Sequence, residues 1–298
     1  MKKKIQIQRT FIPGSEWVYL KIYTGTKTAD KILINDVYYI VNKLKKNNLI
    51  KKWFFIRYSD PEFHLRIRFL AKEQINIAEI LSQCCERLYP YVRENLIWKI
   101  QIDTYNRELE RYGYILIEDA ELIFQIDSEC IIYLLKKLNN EEFKWMIGLK
   151  LVDSFLDDFS LNLHQKQNLL KSLMIAFKKE FGFDSYNSKQ LNSKYRENRK
   201  IIESVLDENI DEKSFISLFS IIRKRSKKLK PIVNVIKQKI ALYGIADHEN
   251  SFIGSYIHMT LNRLFRSRNR QYELLVYDFM YHYYNSKIAK NNFIMNIE

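Results

Sequence analysis

The stretch Trp53 to Phe69, W-F-F-I-R-Y-S-D-P-E-F-H-L-R-I-R-F, limits what this chain can fold into more than any other, because it carries several cations on a short apolar run. Read with a period of two, its second half puts Phe63, Leu65, Ile67 and Phe69 on one face and His64, Arg66 and Arg68 on the other. Its first half, Trp53 to Tyr58, is apolar on both faces except at Arg57, the pattern of a central strand. Ser59, Asp60 and Pro61 interrupt the ladder and supply turn chemistry, so the stretch predicts an antiparallel hairpin. A solvated hairpin face accounts for its arginines. So does an anion-binding floor, because a guanidinium grips a carboxylate or phosphate with two parallel hydrogen bonds.

Two further segments have the same period. Glu16 to Tyr23 alternates Val18, Leu20 and Ile22 against Trp17, Tyr19, Lys21 and Tyr23. Trp98 to Tyr105 sets Trp98, Ile100, Ile102 and Thr104 against Lys99, Gln101, Asp103 and Tyr105. Each has one apolar face, as expected of a sheet that packs that face on helices while the other lines a cavity or water. Helical stripes separate the strands: Leu33, Val37, Ile40, Val41 and Leu44 after a cap at Thr26 or Thr28, then Ile77, Ile80, Leu81, Cys84 and Leu88, closed near Pro90. The charged run N-R-E-L-E-R-Y-G follows, with Arg107 and Arg111 four apart and a stop at Gly113.

From Glu118 the period is helical almost to the end, with helices expected near Glu118–Leu138, Glu141–Asp158, His164–Lys179, Ser188–Leu206, Glu212–Lys228, Ile232–Tyr243, Ser251–Phe265 and Arg268–Ser286. Seven glycines and four prolines in the whole chain suit long helices. The fold class is therefore α+β: an N-terminal antiparallel or mixed sheet with flanking helices, then a largely α-helical C-terminal half. We read residues 1–298 as one domain, strand-rich over 1–113 and helical over 114–298. Within the helix at 251–265, Ser251, Ser255, His258, Asn262 and Arg266 form one polar stripe on an otherwise apolar cylinder. Such a stripe either finds partners in the core or lines a wet cavity.

Three cysteines, two of them adjacent as Cys84 and Cys85, provide no disulfide framework and no spaced zinc ligands, and the five histidines show no ligand spacing. No metal and no cofactor are expected. No apolar run is long enough to span a membrane, and the basic start, Met1 to Arg9, leads into no signal-peptide core, so the expected location is cytoplasmic. A net charge of +14 favours acidic partners without choosing among them. The basic tracts Lys189–Lys200 and Arg223–Lys230 read as solvated faces.

Four blocks, F-I-R-Y-S-D-P-E-F-H-L-R-I-R-F (55 to 69), I-Q-I-D-T-Y-N-R-E-L-E-R-Y-G (100 to 113), A-E-L-I-F-Q-I-D-S (120 to 128) and S-Y-I-H-M-T-L-N-R-L-F (255 to 265), resemble the small C-terminal domain of class I lantibiotic dehydratases and its stand-alone form among thiopeptide-type bacteriocin biosynthesis proteins. The resemblance runs from Gly14-Ser15-Glu16-Trp17 to E-L-L-V-Y-D-F-M-Y-H-Y-Y (273 to 284), and departs at Tyr114, where the family often carries a second glycine after Gly113. It implies a lyase: a partner dehydratase esterifies Ser or Thr of a ribosomal precursor peptide with glutamate, and this domain expels the glutamate to leave dehydroalanine or dehydrobutyrine. β-Elimination needs a base, stabilised enolate-like charge and a hold on the departing carboxylate. The resemblance implies His258 for proton transfer and Arg66 and Arg107 for the glutamyl group, with Arg57, Arg111, Tyr105, Asp103, Asn262 and His64 as the substrate-binding surround. Partners implied are the glutamylated peptide, the glutamylating dehydratase and a second copy of the chain.

Two other readings stand beside it. Stand-alone relatives in thiopeptide pathways join two dehydroalanines in a formal cycloaddition to a pyridine. A non-catalytic module that holds a leader peptide or tRNA ranks last, since no nucleic-acid-binding motif is visible.

Overall fold

The computed structural model describes residues 7–138, 140–210 and 213–295. The predicted helix start at Glu212 and the first residues of the basic start, Met1 to Gln6, lie outside the described residues. By contacts the chain divides into two compact units. One gathers the chain up to Asn139 with Asn234–Ala246 and Asn262–Ser267; the other gathers Asn140–Val233, Asp247–Leu261 and the chain from Arg268.

Chain order in the first unit is β1 (Thr10–Phe11), β2 (Trp17–Thr24), α1 (Thr26–Lys31), a π-helical turn (Ile32–Val37), α2 (Tyr38–Lys46), β3 (Ile50–Tyr58), β4 (His64–Ala71), α3 (Ile77–Arg93), β5 (Ile97–Ile102), β6 (Tyr105–Asn106) and α4 (Leu109–Lys137). The four longer strands form an antiparallel sheet in the order β3-β4-β2-β5, and β1 pairs with β6. The predicted hairpin is β3 and β4, turning at a cis Asp60–Pro61 bond, with Phe55 opposite Ile67 and Tyr58 opposite His64. Across the next pair Leu20 faces Ile67 and Lys21 faces Arg66. Alternation therefore segregates the sheet into an aliphatic face and a cationic one. Val18, Leu20, Ile22, Leu65, Ile67, Phe69, Trp53 and Phe55 are all buried, each contributing about 1.5–3 kcal/mol of burial.

Strand β3 lies at a sheet edge, yet its outward backbone groups are not left open. The Trp53 N–H donates to Gln125 Oε1 (3.3 Å) and the Phe55 N–H to Ser128 Oγ (3.1 Å), both on α4. Arg263 Nε donates to the Phe55 carbonyl (2.8 Å), and the Asn262 amide takes the Arg57 N–H (3.0 Å) while donating to the Arg57 carbonyl (2.9 Å). Side chains thus stand in for a missing strand. Strand β5, at the other edge, keeps Trp98 54%, Ile100 40% and Ile102 49% exposed, so the expectation that every apolar strand face packs on helices fails there.

Chain order in the second unit is α5 (Lys144–Asp158), α6 (Leu163–Glu180), α7 (Ser185–Leu206) and α8 (Lys213–Tyr243), then α9 (Glu249–Leu264) and α10 (Asn269–Met295); the last turns of α8 and α9 count with the first unit. Asn162 caps α6 reciprocally with Gln165: each side-chain oxygen accepts the other's backbone N–H at 2.9 Å.

Several boundaries differ from expectation for local reasons. Gly25, not Thr26 or Thr28, precedes the first helical residue of α1. Helix α3 continues through Pro90 to Arg93, and α8 runs unbroken through Pro231 where two helices were expected. Both prolines face solvent, where water satisfies the carbonyl that loses its partner. Gly113 adopts φ 71°, a left-handed conformation that favours glycine, and separates one turn at Leu109–Tyr112 from the body of α4.

Candidate active site

The cationic face of the sheet is assembled by period two alone. Tyr19, Lys21 and Tyr23 of β2 lie opposite Arg68, Arg66 and His64 of β4, flanked by Lys99 and Gln101 of β5. Its most buried arginine is Arg68, 7% exposed, whose guanidinium lies 4.3, 4.8 and 5.2 Å from the ring centres of Tyr19, Tyr105 and Phe54. Its Nε has no hydrogen-bond partner, and among the described residues no carboxylate pairs with it. Burial holds its pKa below the ordinary arginine value, the signature of a cation desolvated without an anion. Aromatic faces attract a guanidinium but leave its N–H donors unanswered. Such a group is costly in an empty protein and stabilising once an oxyanion docks.

Arg66 sits beside it, stacked 3.4 Å above the Tyr58 ring, with Nε donating to His64 Nε2 (3.0 Å). His64 is buried, stacks on Tyr23 at 4.6 Å and directs Nδ1 at the Glu62 carbonyl (2.8 Å). Burial lowers its pKa, so the ring is neutral at pH 7, with its proton on Nδ1 and its Nε2 lone pair accepting from Arg66. His64 therefore orients Arg66. Lys21 pairs with Asp103, whose carboxyl is held below its usual range first by that hydrogen bond, and Asp103 also accepts the Thr104 N–H at 2.7 Å.

Other residues singled out in the sequence lie elsewhere in this unit. Arg107 is buried in a two-pronged ion pair with Glu121, at 2.7 Å from Nε and 2.9 Å from Nη2. Burial opposes its charge, and Glu121 more than offsets this, so its pKa is raised. Tyr105 donates to the same carboxylate (3.1 Å), and burial above all keeps its phenol protonated. Arg57 projects from the aliphatic face, bound to Asp30 (2.6 Å) and to the Arg263 carbonyl (2.9 Å). Arg111 is half exposed, 3.5 Å from Glu108. Asn262 is the backbone clamp of β3.

His258 belongs to the second unit. The polar stripe of α9 is its accessible side: Ser255 and His258 are half-buried, while Tyr256, Ile257 and Met259 are buried. His258 Nδ1 lies 2.6 Å from Glu273 Oε1, and that buried carboxylate also accepts from Tyr277 Oη (3.0 Å) and Arg270 Nη1 (3.3 Å). The pairing fixes the ring and leaves Nε2 as the free nitrogen, the arrangement of an oriented base. Sequence reading missed Glu273 and Glu121, which carry no spacing signal, and gave no role to Arg68, although period two had already placed it beside Arg66.

Among the described residues no three His, Cys, Asp or Glu side chains stand together as a metal site, and no helix is long and apolar enough to cross a membrane. Cys84 and Cys130 are buried and Cys85 is exposed, and the three form no disulfide with one another.

Known proteins match the chain over most of its length. The sequence profile described as lantibiotic biosynthesis dehydratase C-term matches residues 17–284. The subtilin biosynthesis protein SpaB of Bacillus subtilis is 26% identical over 265 residues, covering 86% of this chain and 24% of that protein, and the nisin biosynthesis protein NisB of Lactococcus lactis subsp. lactis is 26% identical over 288 residues, covering 93% and 26%. The chain thus spans about a quarter of the length of these curated relatives. In fold it is similar to the tRNA dependent lantibiotic dehydratase MibB from Microbispora sp. 107891, with a TM-score of 0.66 at 21% identity over 90% of this chain and 28% of that one. It is similar also to TbtD, the pyridine synthase from thiomuracin biosynthesis, with a TM-score of 0.61 at 13% identity over 91% of this chain and 99% of that one. A profile match across nearly the whole sheet and most of the helical region places the chain in the lantibiotic biosynthesis dehydratase C-terminal family, an enzyme domain of lantibiotic biosynthesis.

Proposed function

We propose that the chain is a lyase that eliminates glutamate from glutamylated Ser or Thr of a ribosomal precursor peptide, acting in the cytoplasm in trans with a separate glutamylating dehydratase. The observation that carries this reading is Arg68, a buried guanidinium with donors unanswered, set beside an Arg66 that has no carboxylate partner among the described residues. Each such guanidinium can grip a carboxylate with two parallel hydrogen bonds. In the reaction a base removes the Cα proton, the electron pair forms the Cα–Cβ double bond as the Cβ–O bond breaks, and glutamate leaves as a carboxylate held by Arg66 and Arg68; His258, oriented by Glu273, is the residue that the family resemblance implies for that base. Arg107 supports the floor through Glu121 and Tyr105, the latter packed against Arg68.

A second reading is formal cycloaddition to a pyridine, the activity of TbtD, whose fold the chain resembles. Mass spectrometry of a synthetic peptide bearing a glutamyl ester on Ser separates the two. Wild-type protein is expected to release glutamate and leave dehydroalanine, with Arg68→Ala and His258→Ala slowed by about 10²–10³-fold, the usual cost of deleting one charge-stabilising group. An ester left intact by the wild type, together with ring formation on a bis-dehydroalanine peptide, would sink elimination in favour of the cyclase.

A further inference from the structure

The two edges of the four-stranded sheet differ. Side chains occupy the outward backbone groups of β3, whereas among the described residues nothing pairs with the outer edge of β5. The Asp103 N–H donates to the Tyr19 carbonyl (3.0 Å), so Lys99, Gln101 and Asp103 turn their N–H and C=O groups to β2. Ile100 and Ile102 therefore turn theirs away from the sheet. The irregularity opposite Tyr23 and Thr24 lies before this stretch, so from Lys99 onward β5 is a regular open edge.

The surface beside that edge is apolar. A groove of about 220 Å³ separates β5 from α3, floored by Leu20 and Leu88 and rimmed by Tyr89, Val92, Ile100 and Ile102. Tyr89 is 58% and Val92 38% exposed. At roughly 200 Å² for a whole large side chain, the four rim residues and Trp98 present on the order of 500 Å², as much as the largest patch an ordinary monomer leaves open.

We infer that β5 pairs antiparallel with β5 of a second copy about a two-fold axis at Gln101, joining two four-stranded sheets into one. In this register Ile100 lies opposite Ile102 of the other copy, and each such pair exchanges both of its backbone hydrogen bonds. On the cationic side Lys99 meets Asp103 of the other copy. Lys99 has no carboxylate partner among the described residues and lies 5.1 Å from the Tyr23 ring centre. Asp103 carries Lys21 on a side chain still 42% exposed, with room for a second cation. Moving the axis by one residue loses this match: centred on Ile100 it sets Lys99 against Gln101, and centred on Ile102 it sets Ile100 against Thr104. An edge complementary to itself in charge and in apolar side chains selects a copy of this chain over an unrelated strand. Together the copies cover about 1,000 Å² of apolar surface, the size at which a specific interface begins.

Sedimentation velocity of the full chain reads the first consequence, a dimer with a Kd of about 1–10 µM, moderate for an interface of this size. Ile100→Lys charges the shared face, and Ile102→Pro removes an N–H that points away from β2. Each should raise Kd at least tenfold, and a thermal midpoint of the monomer within about 2 °C of wild type separates lost pairing from unfolding. Cysteine pairing reads the register, in a Cys85→Ser background that removes the exposed thiol. Gln101→Cys sets two Cα atoms about 4.5 Å apart across the axis, within disulfide reach, so mild oxidation should link the copies. Lys99→Cys leaves them about 14 Å apart along the strand and should not. Neither measurement needs turnover, so the dimer stands or falls separately from the elimination chemistry. A wild type that stays monomeric at about 100 µM overturns the inference, and an Ile100-dependent complex with the glutamylating dehydratase would then assign the edge to that partner. A dimer that Ile100→Lys leaves intact, or equal cross-linking at both cysteine positions, overturns it as well.

Discussion

Replacing Glu121 by Gln tests whether Arg107 is bound to the fold or available to a substrate. Glu121 is wholly buried, and its two oxygens accept from Arg107 at 2.7 and 2.9 Å, from Tyr105 at 3.1 Å and from Lys52 at 3.4 Å. The variant keeps the shape and one acceptor but removes the charge that compensates a buried guanidinium. Breaking a buried pair from one side costs roughly 3–5 kcal/mol, and at about 2–4 °C per kcal/mol for a unit of this size the midpoint should fall by roughly 6–20 °C. Scanning calorimetry reads the shift directly, and glutamate release well below the new midpoint reports the chemistry separately. At that lower temperature the variant is expected to keep most of its activity. A midpoint within 1–2 °C of wild type, with activity lost, would refute the structural assignment and return Arg107 to the substrate.

Three further outcomes follow from neighbouring residues. Arg68→Met removes an uncompensated buried charge from an aromatic cage, so Tm should rise by a few degrees while elimination is lost; a fall in Tm would show that the cage alone satisfies the cation. The folded-state pKa of His64 is depressed, so its contribution to stability is intact above the unfolded value near 6.5 and is lost as pH falls through the lower folded value. Wild type should therefore lose Tm between pH 7 and pH 5 more steeply than His64→Gln, and identical slopes would contradict a buried neutral ring. Asn262→Leu removes two hydrogen bonds from the β3 edge and should cost about 1–3 kcal/mol in urea unfolding, a loss a purely substrate-binding asparagine would not produce.

Period two was enough to put Arg66, Arg68 and Lys21 on one face, because in a strand the destination of a side chain is set by parity and needs no tertiary information. The same rule sends Arg57 to the opposite face. Reading the four arginines as neighbours in sequence could not show that two of them meet their carboxylates in different layers. Arg107 finds Glu121 fourteen residues on, and His258 finds Glu273 fifteen residues on, separations that belong to no helical or strand repeat. Propensity overstated the prolines: Pro90 and Pro231 read as stops, but an exposed carbonyl lets a helix pass through. The two-residue strand β1 was invisible because Thr10 and Phe11 acquire their extended form only by pairing with Asn106 and Tyr105.

The clamp on β3 acts as a register gauge. Gln125, Ser128, Asn262 and Arg263 meet backbone groups at Trp53, Phe55 and Arg57, every second residue. If β3 slid by one position, the clamp would meet N–H groups already committed to β4, Arg57 would move to the cationic face and Ile56 would take its place among the aliphatic side chains. The slip would thus break backbone bonds along a whole edge while adding an uncompensated charge opposite Arg66 and Arg68. The residues that close the edge of the sheet also protect the parity on which its cationic face depends.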